Sequence, residues 1–247
     1  MILKVLLNGS KGRMGQTITA AAAMYNARIQ AAIDIDDDPA NVIQDCDIII
    51  DFSFHKATCE ILKLAKTFEK PVVIGTTGHS EDEQKRIAEF SHSIPIVITG
   101  NFSIGVNLLF YLTSISSKIL ENNYHPEIVE IHHCHKKDAP SGTARNLIEM
   151  IQESRNLGPE CVRHGRQGTI DERIHDEIGG HSLRGGEEIG EHKVIFSGPG
   201  ERIELVHRAG SRQVFAEGAF KAAHWLIDKY PGTYNMLDVL GLKIRKD

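Results

Sequence analysis

The sequence is short of several things, and each shortage closes off a class of function. Its four cysteines, Cys46, Cys59, Cys134 and Cys161, form no CxxC pair, so the common zinc and redox spacings are missing and reduced thiols are expected. No apolar run approaches the roughly 18 residues that cross a bilayer, and no membrane partner is expected. Positive charge is not in excess either: 28 Lys and Arg face 33 Asp and Glu, a formal net charge of -5. That balance gives no global pull on nucleic acid or an anionic surface, so any anion site must be local. Low-complexity tracts and internal repeats are also missing. The opening residues through Gly9 carry one lysine in a short apolar run and then a glycine turn. They read as a buried first strand and not a signal peptide, and a cytoplasmic location is expected.

What is there is a chain of 247 residues with 41% hydrophobic content, enough for two modest cores. Strand-like and helix-like segments alternate from the start: Leu3 to Asn8, Gln16 to Tyr25, Ile29 to Asp34, Cys46 to Ser53, Lys56 to Phe68, Pro71 to Thr76, Ser80 to Phe90 and Ile94 to Thr99. Such alternation predicts an α/β fold with a doubly wound, Rossmann-type parallel sheet. After Asn101 the pattern changes to a long helix over Val106 to Glu121, a strand over Glu127 to Cys134, and a helix over Ser141 to Ser154 with Ser141 as N-cap. Lys193 to Phe196 and Arg202 to Arg208 then predict an antiparallel hairpin, and Phe215 to Tyr230 a closing helix. The expected organisation is residues 1–103 with 213–247 as one domain, and 104–212 as a central α+β domain with a mixed or antiparallel sheet.

Two groups of residues carry chemistry. The first is the run Gly9-Ser10-Lys11-Gly12-Arg13-Met14-Gly15 between the first strand and first helix. Glycines there let backbone amides approach a pyrophosphate, and the helix end adds partial positive charge. The spacing is GxxGxxG and not GxGxxG, so a plain strand-to-helix turn competes with the cofactor reading. Asp34, 19 residues beyond Gly15, falls where a carboxylate would accept from an adenosine ribose; the neighbouring Asp36, Asp37 and Asp38 also suit an acidic surface loop. Gly75-Thr76-Thr77-Gly78 and Thr99-Gly100-Asn101-Phe102-Ser103 follow two further strands, at the sheet edge where ligands of such folds sit.

The second group is His132-His133-Cys134-His135-Lys136-Lys137-Asp138-Ala139-Pro140-Ser141-Gly142-Thr143. A metal reading fails on direction, because adjacent strand residues point to opposite faces and no paired spacing completes a tetrahedron. A solvated strand end is the bland alternative. Against it, Pro140 to Thr143 opens a helix whose free amides form an anion site beside these cations, one suited to a carboxylate.

This second segment, from Glu130 to Ala144, resembles the signature of 4-hydroxy-tetrahydrodipicolinate reductases. The resemblance extends over nearly the whole chain: the Gly12-Arg13-Met14-Gly15 loop, Asp51-Phe52-Ser53, Val73 to Gly78, Asn101 to Asn107, His181 to Gly186, Gly190-Glu191-His192 and His207 to Arg212. It implies a dinucleotide-binding domain built from both chain ends, a central substrate-binding domain that assembles a homotetramer, and reduction of a small cyclic imine dicarboxylate by NADH or NADPH. By position it makes His132 the acid/base and Lys136 the proton donor. His133, Gly142 and Thr143 would hold substrate, and Gly9 to Met14, Asp34, Gly75 to Thr77 and Thr99 to Phe102 would line the cofactor. Ile35 departs from relatives that carry an arginine there to meet a 2'-phosphate, so NADH is favoured.

Hydride addition to a conjugated imine needs an acid nearby, and Lys136 suits that task while His132 titrates near neutrality. Four residues of straight strand span about 13 Å, so the chain is expected to bend at His135. Two other functions compete. Another Rossmann oxidoreductase, such as a semialdehyde dehydrogenase, would need Cys134 as nucleophile, and a non-catalytic dinucleotide sensor would bind cofactor without consuming it.

Overall fold

The computed structural model describes residues 2–243. Along them run β1 (Leu3–Asn8), α1 (Arg13–Ala21), β2 (Ala27–Ile33), β3 (Ile48–Asp51), α2 (His55–Thr67), β4 (Val72–Ile74), α3 (Glu81–Ser91), β5 (Pro95–Ile98) and α4 (Ile104–Leu120). There follow β6 (His125–His132), α5 (Gly142–Arg155), β7 (Val162–His164), β8 (Ile178–Arg184), β9 (Glu191–Gly198), β10 (Glu201–Arg208), α6 (Gln213–Leu226), β11 (Gly232–Tyr234) and α7 (Met236–Leu240). The chain divides into two compact units: one runs through Ile104 and resumes over Arg212–Leu242, the other spans Gly105–Ser211. None of the described helices is long and apolar enough to cross a membrane.

The first unit is a six-stranded sheet in the order β11-β5-β4-β3-β1-β2, with every pairing parallel. Its strands are short β-branched runs such as Ile48-Ile49-Ile50, buried on both faces as parallel strands are. Their alternation divides the core in two. Val5, Leu7, Ile50 and Val73 pack with α1 and α6 on one face, and Leu6, Ile49, Val72 and Ile74 pack with α2 and α3 on the other. The strand order reverses between β1 and β3, and that switch point opens a crevice at the strand ends. Ser80 caps α3 through a capping box with Glu83, which fixes a start the sequence already marks.

The second unit is a mixed sheet in the order β10-β9-β6-β8-β7. Helices α4 and α5 contribute Val106, Leu109, Phe110, Leu147 and Ile151 to a core with Ile128, Val194 and Phe196 from the sheet. The expected hairpin forms as β9 and β10.

Several boundaries differ from expectation. Helix α1 starts at Arg13 with Gly12 as its N-cap, inside the glycine run, because that run is itself the entry to the helix. Strand β6 stops at His132, not Cys134: the His133 and Cys134 amides go to Glu188 and Gly186 carbonyls, at 2.8 and 3.2 Å, instead of a strand ladder. Helix α6 ends at Leu226, and the chain then forms the unforeseen edge strand β11 beside β5. Strand β8 also has no counterpart among the strands expected from the sequence. Its Gly179 lies against Glu127, whose Oε2 would stand 1.7 Å from an added Cβ, so glycine is what lets that carboxylate lie over the strand.

Candidate functional site

In the first unit the crevice is lined by the loops that follow β1, β3, β4 and β5. Gly9 takes φ +82°, and an added Cβ would lie 2.4 Å from the Phe52 carbonyl oxygen; at Gly15 it would lie 2.3 Å from the Gly9 carbonyl oxygen. Backbone thus packs on backbone there, the close approach a phosphate-cradling turn requires. Buried Asp51 ties the strand ends together by accepting from Asn8 Nδ2 at 2.9 Å, from the Ser53 hydroxyl and from Thr58 Oγ1 at 2.8 Å. A cavity of about 630 Å³ is lined by Gly9, Gly12, Asp34, Ile35 and Phe54 among others. A second of about 290 Å³ meets Met14, Gly75, Gly100, Asn101 and Phe102. A third of about 440 Å³ meets Thr76, Thr77, Thr99 and Gly100.

Asp34 sits at the rim of the first cavity. Its carboxylate accepts from the Lys11 amide at 2.9 Å and from the Ile35 amide at 3.0 Å. The Lys11 bond, then the Ile35 bond, hold its carboxyl below the usual range, so the rim carries a fixed negative charge. Ser10, Lys11 and Arg13 lie in the turn itself, Lys11 and Arg13 exposed.

In the second unit β6 carries Glu130 and His132 on one face, two residues apart. Strand register supplies their neighbours: Glu130 pairs with His192 of β9, and His132 with Arg184 of β8. Glu130 is 1% exposed and accepts from several donors, the Ser182 side chain among them. His132 Nδ1 contacts its Oε2; Arg184 donates to both oxygens, at 2.7 and 3.1 Å, and the Ser141 amide donates at 3.2 Å. The Ser141 hydroxyl accepts from the Ala144 amide at 3.2 Å, capping α5, and lies 3.1 Å from His192 Nε2. Beyond His132 the chain turns at Cys134 and His135, closed by the Lys136 amide on the His133 carbonyl at 3.1 Å. The expected bend is there. Lys136 Nζ pairs with Asp138 at 2.9 Å, and the Ala139–Pro140 bond that leads to α5 is cis.

Charge in this cluster is set by burial and by Arg184. Burial alone would raise the Glu130 carboxyl, but the Arg184 guanidinium and the other donors outweigh it and hold the group low. Burial pushes the His132 imidazole down, against an upward pull from Glu130; Lys136 and Arg184 add to the fall. His192, more deeply enclosed, is pushed down to about 3 by burial and then by His132. A histidine with a depressed folded value binds fewer protons folded than unfolded, so it costs stability once the unfolded chain protonates. Stability is therefore expected to fall as pH drops below about 6.5, and to keep falling towards 3. Melting temperature against pH measures this, and His192→Gln, which keeps an acceptor for Ser141, should flatten the acid slope.

Glu130, His132 and His192 bring one ligand-type atom each within 4.8 Å of one another, close enough for a metal ion. Arg184 already places a guanidinium on both Glu130 oxygens, so a second cation would meet uncompensated repulsion. The cluster is a charge-balanced hydrogen-bond network.

The residues singled out in the sequence gather in two places. Gly9 to Met14, Asp34, Gly75 to Thr77 and Thr99 to Phe102 lie at the strand ends of the first unit; His132, His133, Lys136 and Ser141 to Thr143 lie around the end of β6 and the start of α5. Ser141, expected among the amides that face a ligand, gives its amide to Glu130 instead, because the carboxylate lies against the helix end; Gly142 and Thr143 follow as the first helical residues. Sequence reasoning alone gives no part to Glu130, Arg184 or His192. The two-residue spacing of Glu130 and His132 was the available signal.

Comparison with known proteins gives the family. Residues 3–102 match the family model "Dihydrodipicolinate reductase, N-terminus" and residues 105–240 the model "Dihydrodipicolinate reductase, C-terminus". The chain is 45% identical to a 4-hydroxy-tetrahydrodipicolinate reductase of Akkermansia muciniphila, over 98% of this chain and 99% of the relative. It is 44% identical to one of Hahella chejuensis, over 96% of this chain and 90% of the relative. In fold it is similar to a dipicolinate-bound dihydrodipicolinate reductase from Paenisporosarcina sp. TG-14, with a TM-score of 0.78 at 23% identity, over 96% of this chain and 99% of that one.

Proposed function

The chain belongs to the dihydrodipicolinate reductase family, and on that premise we propose that it reduces 4-hydroxy-tetrahydrodipicolinate, a cyclic imine dicarboxylate, to tetrahydrodipicolinate, the 4-hydroxyl leaving as water to give the conjugated ring that takes the hydride. The reductant is NADH or NADPH, and the step belongs to lysine and diaminopimelate biosynthesis in the cytoplasm. The first unit binds the dinucleotide; the second binds substrate and builds a homotetramer. The observation that carries the reading is the buried Glu130–His132 pair beside the α5 N-terminus, in a chain that matches both family models.

The first unit fits a dinucleotide. Side chains at Gly9 and Gly15 would collide with the backbone that gives the phosphate turn its shape, and Asp34 stands at a cavity large enough for an adenosine. Gly9, Ser10, Lys11, Gly12, Arg13 and Met14 would hold the phosphates, and Gly75 to Thr77 with Thr99 to Phe102 the remainder. When bound, the reduced nicotinamide supplies the hydride. Negative charge then builds on the substrate's π system, and Lys136, held on Asp138 at 2.9 Å, donates the proton that neutralises it. His132 shares acid/base duty and orients the ring. His133, Gly142 and Thr143 hold the carboxylates, aided by the positive end of α5.

The test is loss of reduced-nicotinamide absorbance with substrate freshly condensed from pyruvate and aspartate semialdehyde. Steady consumption is expected. A protein that binds the cofactor but consumes none is a sensor, and the proposal fails. The semialdehyde dehydrogenase alternative requires Cys134; turnover retained in Cys134→Ser removes it.

Cofactor preference follows from the rim charge. A 2'-phosphate placed near Asp34 meets a like charge, worth about 1 kcal/mol at 4 Å in a water-like dielectric, or roughly fivefold in affinity. Ile35, 91% exposed, offers no compensating charge, while Lys11 and Arg13 offset part of the penalty. Both cofactors should bind, NADH somewhat the tighter. Titration of each decides it, and a tenfold preference for NADPH contradicts the argument from Asp34.

A further inference from the structure

We propose that Glu130 is a positioning residue for this reaction: it fixes His132 as the Nδ1-protonated tautomer and locks that ring to the first turn of α5 and to the Lys136 turn. The proposal rests on the role given to His132 above and adds what sets its geometry. An ionised carboxylate can only accept, so the contact between Glu130 Oε2 and His132 Nδ1 places the proton on Nδ1 and leaves Nε2 as the working nitrogen. Space is kept on that side: a Cβ at Gly190 would stand 3.0 Å from Nε2, and glycine has none.

The same carboxylate reaches two other parts of the site. Its Oε1 takes the Ser141 amide at 3.2 Å, which sets where α5 begins and so where Gly142 and Thr143 point their amides. Its partner Arg184 donates from Nη2 to Glu130 at 2.7 Å and also to the Asp138 carbonyl at 2.6 Å, in the turn whose Asp138 side chain pairs with Lys136. One buried ion pair therefore holds the acid/base ring, the helix end and the proton donor's turn in fixed relation. A buried pair of this kind adds little net stability over a well-packed apolar one and is better explained by the arrangement it specifies. Every lone pair of Glu130 is engaged, so the ring cannot turn over without breaking the network.

The decisive measurement is nitrogen NMR of the intact protein with labelled histidines, without substrate. His132 is expected to be protonated at Nδ1 when neutral. In Glu130→Gln the amide can donate as well as accept, so the tautomer is no longer fixed; kcat should fall roughly 10- to 100-fold, the scale seen when the partner that orients a histidine is lost. The KM for NADH should stay within about twofold, a split that general misfolding would not produce. His132 carrying its proton mainly on Nε2 in the unmodified protein overturns the proposal, and this reading needs no variant to fold. Wild-type kcat in Glu130→Gln beside an impaired His132→Asn overturns the positioning role alone. Undiminished turnover in His132→Asn overturns the role of His132 and this proposal with it.

Discussion

Replacing Lys136 by alanine is expected to lower kcat by roughly a hundredfold or more, the scale of general acid catalysis, with affinity for the reduced cofactor nearly unchanged. The reason is the fate of charge. Once an electron-poor carbon conjugated with the imine accepts a hydride, the product is an anion until a proton arrives, and an ammonium both donates that proton and stabilises the charge before transfer. Had β6 run straight on from His132, Lys136 would stand about 13 Å further along. The turn at Cys134 and His135, closed by the bond from the Lys136 amide to His133, brings the chain back, and the bond to Asp138 keeps the side chain part-buried instead of trailing into solvent. His132→Ala should fall as far. The cofactor loops belong to the other unit, so binding measured by fluorescence of the reduced nicotinamide should be close to wild type. Near-normal turnover in both variants would refute the mechanism while leaving the family assignment intact.

The second large effect is expected at Gly9. At φ +82° an alanine is strained, and its Cβ would lie 2.4 Å from the Phe52 carbonyl oxygen and 2.8 Å from the Ser53 Cα. Those neighbours are backbone at the end of β3 and cannot rotate away, so the turn itself must move. Strain of this kind costs about 1–3 kcal/mol before the clash is counted. Gly9→Ala should therefore lower the melting temperature by several degrees and weaken dinucleotide binding at least tenfold. Gly12→Ala is the comparison: its Cβ meets only the Gly9 carbonyl oxygen at 3.3 Å, and it should lose far less stability. Equal stability for the two variants would show that the crowding at Gly9 has no energetic weight.

What the sequence reveals and what it hides divide along physical lines. Strand β1 is legible to the residue because its apolar run ends in a glycine turn, and the starts of α3 and α5 are legible because Ser80 and Ser141 cap them. Local chemistry suffices in each case. Strand β8 is hidden because Gly179 and Gly180 lack strand propensity, and the strand exists through its pairing with β6. Strand β11 is hidden because three residues carry no periodicity. The same limit applies to the site. His132, His133, Lys136, Gly142 and Thr143 lie within one segment, so the sequence displays them together. Arg184 and His192 come from β8 and β9, more than 50 residues on, and reach Glu130 only through strand register, which no local pattern encodes.

The central claim is that a hydride passes from the reduced nicotinamide to a carbon of a cyclic imine dicarboxylate, and isotope transfer tests it most directly. NADH carrying deuterium at the transferable C4 position is incubated with freshly condensed substrate and the enzyme, and the product is analysed by mass spectrometry. One deuterium per product molecule, bound to carbon and retained on exchange into light water, is the predicted result. Oxidation of the cofactor that leaves the product unlabelled, or no product at all, would contradict the account.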